Sequence, residues 1–357
     1  MSIQEIIGIF TKPLITSFFV SAITTPLVIK FFTKMRWLDN PKNGKRINIT
    51  HTYPVPRGGG IPIFLAILIT SLLFIYPDKQ LISILLAILI TLLVGIVDDI
   101  FNISPYFRFL TNILAALIII NSGIQMKFIS NPLQTGKVIY FDNFSLPILG
   151  SEFISKFISL VWLIWCMNII GWSGGIEGQL PGFVIVTATI IGIIGISFGQ
   201  DITQWPLIIL AGTLAGAYLG FLPYNFYPQK IMPGYSGKSI AGLMLGTLAI
   251  LSGAKVATAI LVLGIPMIDG ILAIVRRFSQ GKSPFWGDAQ HLHHLLLNLG
   301  IHKAKIAILY WIFSIILGAI VINLNSQQKL YTFIILFILV ISLTLIIKGL
   351  IERKNRS

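Results

Sequence analysis

Carboxylates are scarce in this chain, and three of them interrupt strongly apolar sequence. Only 12 of the 357 residues are Asp or Glu. Asp98 and Asp99 end the run LLVGIVDDI, and Asp269 lies within IPMIDGILAI. A carboxylate at membrane depth is costly and usually functional, and an acidic pair at the negative end of a helix dipole needs a compensating cation. We therefore favour catalytic roles for these aspartates over the simpler interpretation that Asp98 and Asp99 only terminate a helix.

A basic, histidine-rich segment follows residue 275, with the sequence RRFSQGKSPFWGDAQHLHHLLLNLG. Three of the five histidines fall within four positions, which disfavours a merely solvated loop. The pattern His-x-His-His is compatible with a metal site, and a basic cluster beside an aspartate fits pyrophosphate binding equally well. Both interpretations stay open for the candidate residues Arg276, Asp288, His291, His293 and His294.

A glycine-rich loop carries polar groups in the sequence MNIIGWSGGIEGQLPGF. Its glycines allow sharp bends and close approach to a ligand. A simple hinge between two helices would explain the glycines but not Glu177. We therefore retain Asn168 and Glu177 as candidate site residues.

The stretch IMPGYSGKS, residues 231–239, looks at first like a phosphate-binding P-loop. That motif needs a glycine five positions before its Gly-Lys pair, and Met232 occupies this position. The spacing therefore excludes a P-loop, and Lys238 needs another explanation.

The elements that position these residues are predicted to be membrane helices. The chain is 55% hydrophobic and 11% charged, with a mean hydropathy of +0.88. Apolar runs of the roughly 17–25 residues that span a bilayer recur along it. They predict an all-α polytopic membrane protein with about 11 spans, the first of them without a cleavage site. The spans lie near 10–32, 60–76, 81–98, 107–123, 154–171, 181–199, 205–222, 240–254, 256–275, 305–324 and 330–349.

The net charge of +14 is explained by topology rather than by nucleic-acid binding. Most Lys and Arg fall in alternate loops and the C-terminal tail, which the positive-inside rule assigns to the cytoplasm. The N-terminus is then outside, the C-terminus is cytoplasmic, and the segment 127–149 forms a small exterior hairpin. The single cysteine, Cys166, allows no disulfide within the chain.

Taken together, these motifs resemble the polyprenyl-phosphate N-acetylhexosamine-1-phosphate transferases over nearly the whole chain. The segments appear in the family's order, and the His-x-His-His form resembles the branch that uses UDP-N-acetylhexosamine. The segments that carry the resemblance are residues 39–63, VGIVDDI, NIIGWSGGIEG, FLPYNFYPQKIMPGYSGKS, PMIDGILAIVRR and SPFWGDAQHLHHLL.

The resemblance implies a single membrane transferase domain over residues 1–357, in the bacterial cytoplasmic membrane. It implies that a sugar-1-phosphate, N-acetylglucosamine-1-phosphate, passes from a UDP-sugar to undecaprenyl phosphate with release of UMP. Mg²⁺ is the implied cofactor. Partners would be the two substrates, membrane lipids and a second copy of the chain in a homodimer, with no nucleic acid.

The resemblance and the charges also suggest individual roles. Asp98 would deprotonate or orient the lipid phosphate, with Asp99, Asp269 and His291 as further catalytic groups. Asp99 and Glu177 would bind the metal. The candidate substrate contacts are Lys45, Arg57, Asn168, Asn225, Lys230, Lys238, Arg276, Asp288, His293 and His294.

Two motifs depart from the family pattern. The family pattern Asn-x-x-Asp-Gly-x-Asp-Gly has three polar positions, and this chain has Gly171, Gly174 and Glu177 there. In the family pattern Gly-Asp-x-Gly-Ser, Tyr235 replaces the aspartate and Lys238 replaces the serine. Three interpretations stay open. Asp98, Asp99 and Glu177 hold Mg²⁺ with help from substrate oxygens, or Lys238 acts as a fixed positive charge with metal less important, or the chain is a catalytically degenerate binding or scaffold relative. A transporter is a further alternative, although no internal repeat supports it.

Overall fold

The computed structural model describes residues 3–43, 50–134, 136–144, 150–253, 256–283 and 290–356. Over these ranges the chain is mainly helical. The helices are α1 Ile3–Lys34, α2 Gly60–Phe74, α3 Lys79–Phe101, α4 Pro105–Asn121, α5 Phe153–Ser173, α6 Gln179–Ile196, α7 Trp205–Asn225, α8 Gly234–Leu251, α9 Val256–Val262, α10 Gly264–Ser279, α11 Leu292–Asn298, α12 Lys303–Ile322 and α13 Ser326–Arg356.

The described chain also contains two short antiparallel strand pairs and three short 3-10 helices. Strand β1, Leu38–Asp39, pairs with β2, Val55–Pro56. Strand β3, Phe128–Ser130, pairs with β4, Val138–Tyr140, where the sequence predicts a hairpin. Residues 145–149 of that predicted segment lie outside the described residues.

Within the described chain, seven helices are long and apolar enough to cross a membrane, and an eighth span results if α9 and α10 count as one. The seven are α1, α3, α5, α6, α7, α12 and α13. Helices α2 and α4 are apolar but shorter, and the polar first turns of α8 lower its mean hydropathy. The polytopic helical class is confirmed. The count of eleven spans and the orientation stay predictions.

The predicted straight span over 256–275 is instead two helices, α9 and α10, bent by 85°. The sequence supplies the reason at Pro266. Its ring nitrogen has no proton to donate to the carbonyl four residues earlier, and the ring clashes with that carbonyl in a continuous helix. The break lets α10 leave the direction of α9 and carry Asp269 towards the polar end of the bundle.

Helix α8 lies at the centre of the bundle and is buried along nearly its whole length. It packs against α3 and α5, while α1 packs along α7. Small residues make this close packing possible. At Gly242 an added Cβ would lie 2.5 Å from the Cα of Met167 and 2.7 Å from the backbone oxygen of Cys166.

The Gly242→Ala variant is therefore expected to destabilise the bundle, since the obstructing atoms belong to backbone and cannot rotate away. Overpacking of this kind costs about 1–3 kcal/mol, so the melting temperature of the detergent-purified variant should fall. The matched control is Gly349→Ala in α13, where nothing lies within 4 Å of the added Cβ. Equal melting temperatures for the two variants would contradict this packing.

Candidate active site

The polar residues singled out from the sequence gather at one end of the bundle, at helix termini. The C-terminal turns of α3 and α5 lie there beside the N-terminal turn of α8. A small cavity of about 30 Å³ marks this end, so substrate binding requires the surrounding side chains to move apart. Its lining includes Arg57, Gly174, Gly175, Glu177, Asn225 and Lys238.

The acidic pair does not end α3, which continues to Phe101. Asn102 terminates the helix in the left-handed conformation, with φ of 54°. Because Asp98 and Asp99 lie inside the last turns, helix termination does not explain them, and their contacts must.

Asp99 is fully paired. Its Oδ1 accepts a hydrogen bond from the Tyr235 amide at 2.7 Å, and its Oδ2 accepts from the Ser236 hydroxyl at 2.8 Å. Arg57 adds an ion pair at 3.3 Å. A carboxylate at a helix N-terminus is favoured by the helix dipole. Asp99 therefore fixes the start of α8 against α3 and orients Arg57.

Asp98 has the opposite environment, although it is the adjacent residue. Its side chain is fully buried and forms an ion pair with Arg108 at 3.5 Å. It also faces the backbone of Ile103, yet neither of its oxygens meets hydrogen-bond geometry with any described residue. An incompletely satisfied buried carboxylate is expensive, which makes Asp98 the strongest candidate for a reacting group.

A second cluster forms where α10 meets the start of α11. The Oδ2 of Asp269 lies 2.7 Å from Nδ1 of His291, and its Oδ1 accepts the Leu292 amide at 3.0 Å. All three residues are buried. A carboxylate bonded to Nδ1 fixes the orientation of the imidazole and leaves Nε2 to contact other groups. Asp269 therefore fixes both the position of the histidine segment and the direction of the His291 ring.

His293 continues this cluster towards the glycine-rich loop. Its ring lies parallel to that of His291, with centroids 5.6 Å apart, and Gly175 packs directly against its Nε2. Burial, followed by the neighbouring His294 and His291, holds the pKa of His293 well below its usual range. The ring is neutral at pH 7, and neither nitrogen has a hydrogen-bond partner among the described residues.

Two cations of the site were not predicted as site residues from the sequence. Arg277 is buried, with its guanidinium 4.8 Å from the ring centroid of Trp172 and 3.5 Å from Nε2 of His291. Lys303 forms an ion pair with the buried Glu177 at 3.1 Å. The sequence contained a signal for both residues. Arg277 is the second residue of the Arg276–Arg277 pair, and Lys303 is a charged residue at the start of the apolar run that forms α12.

The Glu177–Lys303 pair ties the glycine-rich loop to α12. Lys303→Met is expected to destabilise the protein by about 3 kcal/mol, because it leaves Glu177 buried and uncompensated. Thermal denaturation in detergent measures this, and the double variant Glu177→Gln/Lys303→Met should recover much of the lost stability. A double variant less stable than Lys303→Met would show that the pair is not coupled in this way.

The other predicted site residues have mixed outcomes. The Asn225 side chain holds backbone groups in place, because it accepts a hydrogen bond from the Gly178 amide and donates one to the Ile231 carbonyl. Asn168 donates within its own helix to Ile164 and does not line the cavity. Lys230 is exposed, and Arg276 contacts the Gln290 carbonyl. Lys45 and Asp288 lie outside the described residues.

The acids of the described residues do not form a magnesium site by themselves. No three His, Cys, Asp or Glu side chains of the described ranges form a group that could hold a metal ion. The three carboxylates expected to do so instead face separate cations, Asp98 with Arg108, Asp99 with Arg57 and Glu177 with Lys303. Mg²⁺ therefore stays a sequence-based prediction.

Fold and site define a polytopic helical membrane protein whose acids, cations and histidines converge at one end of the bundle. The family model of glycosyl transferase family 4 matches residues 81–253. The decaprenyl-phosphate N-acetylglucosaminephosphotransferase of Mycobacterium tuberculosis is 30% identical, over 75% of this chain and 72% of that protein. The chain belongs to this family.

Two further relatives show its breadth. The "probable undecaprenyl-phosphate N-acetylglucosaminyl 1-phosphate transferase" of Bacillus subtilis is 29% identical, over 96% of this chain and 94% of that protein. The phospho-N-acetylmuramoyl-pentapeptide-transferase of Caldicellulosiruptor bescii is 26% identical, over 85% and 93%. The resemblance inferred from the motifs is confirmed, including its N-acetylglucosamine branch.

Proposed function

We propose that this protein transfers N-acetylglucosamine-1-phosphate from UDP-N-acetylglucosamine to a polyprenyl phosphate such as undecaprenyl phosphate, releasing UMP. The whole chain acts as one membrane domain, and the site end faces the cytoplasm of a bacterial inner membrane. The names of the relatives support this donor and acceptor. The observation that carries the proposal is the buried carboxylate of Asp98 without a hydrogen bond, surrounded by cations suited to phosphate.

The bundle also offers space for the lipid chain of the acceptor. An apolar cavity of about 450 Å³ lies between α5 and the bent α9–α10 pair. Its walls are almost entirely hydrocarbon and aromatic, which suits a polyprenyl chain. The lining includes Phe157, Trp162, Trp165, Ile260, Met267 and Phe333.

In the reaction, an oxygen of the lipid phosphate attacks the β-phosphorus of the UDP-sugar. The bond between that phosphorus and the oxygen bridging to the α-phosphate breaks, so UMP leaves and a lipid-linked diphosphate sugar forms. Asp98 takes the proton of a singly protonated lipid phosphate, while Arg108 and Arg57 compensate the phosphate charge. Such transfer depends on in-line positioning and on neutralising charge.

The Asp269–His291 pair and Arg277 position the histidine segment against the glycine-rich loop. The neutral His293 supplies ring surface and hydrogen-bonding nitrogens to the donor. The nucleotide sugar would bind between these two loops, with its diphosphate at the cavity that Arg57 and Lys238 line.

The test is product formation by the purified protein in lipid nanodiscs. With UDP-N-acetylglucosamine labelled in the sugar and undecaprenyl phosphate, label should enter the organic phase and UMP should accumulate. Label retained in water with every UDP-sugar tried would instead indicate a binding or scaffold protein. Uptake into sealed vesicles without a lipid product would indicate a transporter.

A further inference from the structure

We propose that Lys238 supplies the fixed positive charge at the donor diphosphate, so that this chain transfers the sugar phosphate without a metal ion. This inference rests on the proposed function. It starts from the disagreement between the magnesium implied by the resemblance and the residues at the site. The carboxylates already face cations of the chain, and a further cation lines the same cavity.

Lys238 differs from Arg57, Arg108 and Lys303 because it forms no ion pair, although the Asp99 carboxylate lies near enough to act on its charge. Arg57, Arg108 and Lys303 each form an ion pair with a carboxylate. Within the described ranges, the ammonium group of Lys238 makes no hydrogen bond and no ion pair, and its side chain is half-buried at the cavity wall. A half-buried cation without a paired carboxylate carries part of its desolvation cost uncompensated, and an anionic ligand would reduce that cost.

Gly174 provides the space that the Lys238 side chain occupies. A Cβ at position 174 would lie 3.3 Å from Cε of Lys238 and 2.9 Å from Cδ1 of Leu180. A side chain at position 174 would therefore crowd both Leu180 and the lysine. Position 174 and Lys238 are neighbours in three dimensions, although they belong to different loops of the sequence.

Tyr235 stands at the second position where the family pattern has an aspartate and this chain does not. Its hydroxyl donates to Oδ1 of Asn112 at 2.8 Å, and the guanidinium of Arg108 lies 5.3 Å from its ring centroid. Tyr235 thus holds Arg108 near Asp98 and adds no anion. Both departures from the family pattern shift the site towards positive charge, which is the charge a bound metal would otherwise contribute.

The chemistry of lysine fits this role. Its ammonium is a compact point charge that binds phosphate through up to three donors and needs no further anionic ligands. A preorganised charge at the diphosphate stabilises the negative charge that develops on the leaving UMP. Lys238 thus acts on the donor, and Asp98 acts on the acceptor.

Three measurements on the full-length protein in nanodiscs test this. Wild-type transfer activity should agree within about twofold between millimolar Mg²⁺ and excess EDTA. Lys238→Gln should lower kcat/KM about 100-fold in both, which is the scale for removing one preorganised donor. Lys238→Arg should retain much more activity, and Lys137→Gln, an exposed residue of the distant hairpin, should change nothing.

A binding measurement gives a readout independent of turnover. In EDTA, Lys238→Gln should weaken binding of UDP-N-acetylglucosamine about tenfold, while melting temperatures establish that the variant is folded. Mn²⁺ binding, followed by electron paramagnetic resonance, should be absent in wild type. It should appear in the reciprocal variant Gly174→Asp/Tyr235→Asp/Lys238→Ser, which restores both acids and removes the lysine.

The outcomes separate this inference from the proposed function. Wild-type activity that needs Mg²⁺, or wild-type Mn²⁺ binding at the site, would overturn the metal-free role of Lys238 and leave the transferase function standing. Absence of product in every condition would overturn the transferase function. The binding arm would then still decide Lys238, because unchanged nucleotide-sugar affinity in Lys238→Gln would overturn its role at the diphosphate.

Discussion

Asp98→Asn is expected to lower the rate of lipid-linked product formation about 1,000-fold, within the range for loss of a positioned general base. The amide is nearly isosteric with the carboxylate but cannot accept the proton of the lipid phosphate. It also leaves Arg108 without its ion-pair partner. Steady-state kinetics in nanodiscs, with both substrates saturating, measures the effect.

Two controls show whether the loss of activity in Asp98→Asn is specific to that carboxylate and occurs in a folded protein. Asp142→Asn removes a carboxylate that is exposed near the opposite hairpin, and it should leave the rate unchanged. The melting temperature of Asp98→Asn should stay close to wild type or rise, since the variant removes a buried charge. An Asp98→Asn rate within tenfold of wild type would exclude the residue as the base.

Asp269→Asn is expected to lower kcat/KM for UDP-N-acetylglucosamine about 100-fold. An amide side chain at this position has a single oxygen to accept with, so it no longer fixes both the Leu292 amide and the His291 ring, as the carboxylate does. Because Asp269 acts through His291, we treat it as a positioning residue. The loss should appear mainly in the KM for the donor and little in the KM for the lipid.

The control for this second prediction is whether the losses of activity in the Asp269 and His291 variants add in the double variant. If Asp269 works through His291, then Asp269→Asn/His291→Gln should be only slightly worse than either single variant. Asp201→Asn, an exposed carboxylate in a distant turn, serves as the matched neutral change. Full additivity of the two single losses would show that Asp269 has a role separate from His291.

Much of the architecture could be predicted from the sequence. Each of the eleven apolar runs is largely helical in the structure, because hydropathy over a span-length window is a strong signal. The sequence located a hairpin within 127–149, but its expected turn at Asp142–Asn143 was wrong, because these residues lie in a short 3-10 helix and Val138–Tyr140 pairs with the preceding strand. The break between α9 and α10 was not taken from the sequence, although Pro266 encodes it, because the apolar run masks a local backbone constraint.

The roles of the acidic pair could not be predicted from position alone. Adjacent residues on a helix point about 100° apart, so Asp98 and Asp99 face different neighbours. Asp99 meets the amides at the start of α8, more than a hundred residues later in the chain, and Asp98 meets Arg108. Only the packing of α3 against α8 and α4 distinguishes an anchoring carboxylate from one left available for chemistry.

The same limit applies to the two departures from the family pattern. In the sequence, Gly174 and Lys238 are unrelated substitutions in different loops. In the structure, the two positions adjoin, and a Cβ at position 174 would lie 3.3 Å from Cε of Lys238. Asn225 shows that a residue of a family motif can also have a structural role, since its side chain bonds backbone groups of Gly178 and Ile231.

The central claim is that the bond broken lies between the two phosphates of the donor. The most direct measurement uses UDP-N-acetylglucosamine carrying ³²P at the β-phosphate and ³H in the sugar, with undecaprenyl phosphate and the purified protein. We predict that both labels enter the lipid in equal molar amounts while unlabelled UMP is released. Tritium in the lipid with ³²P left in released UDP would contradict this, since it would mean transfer of the sugar alone.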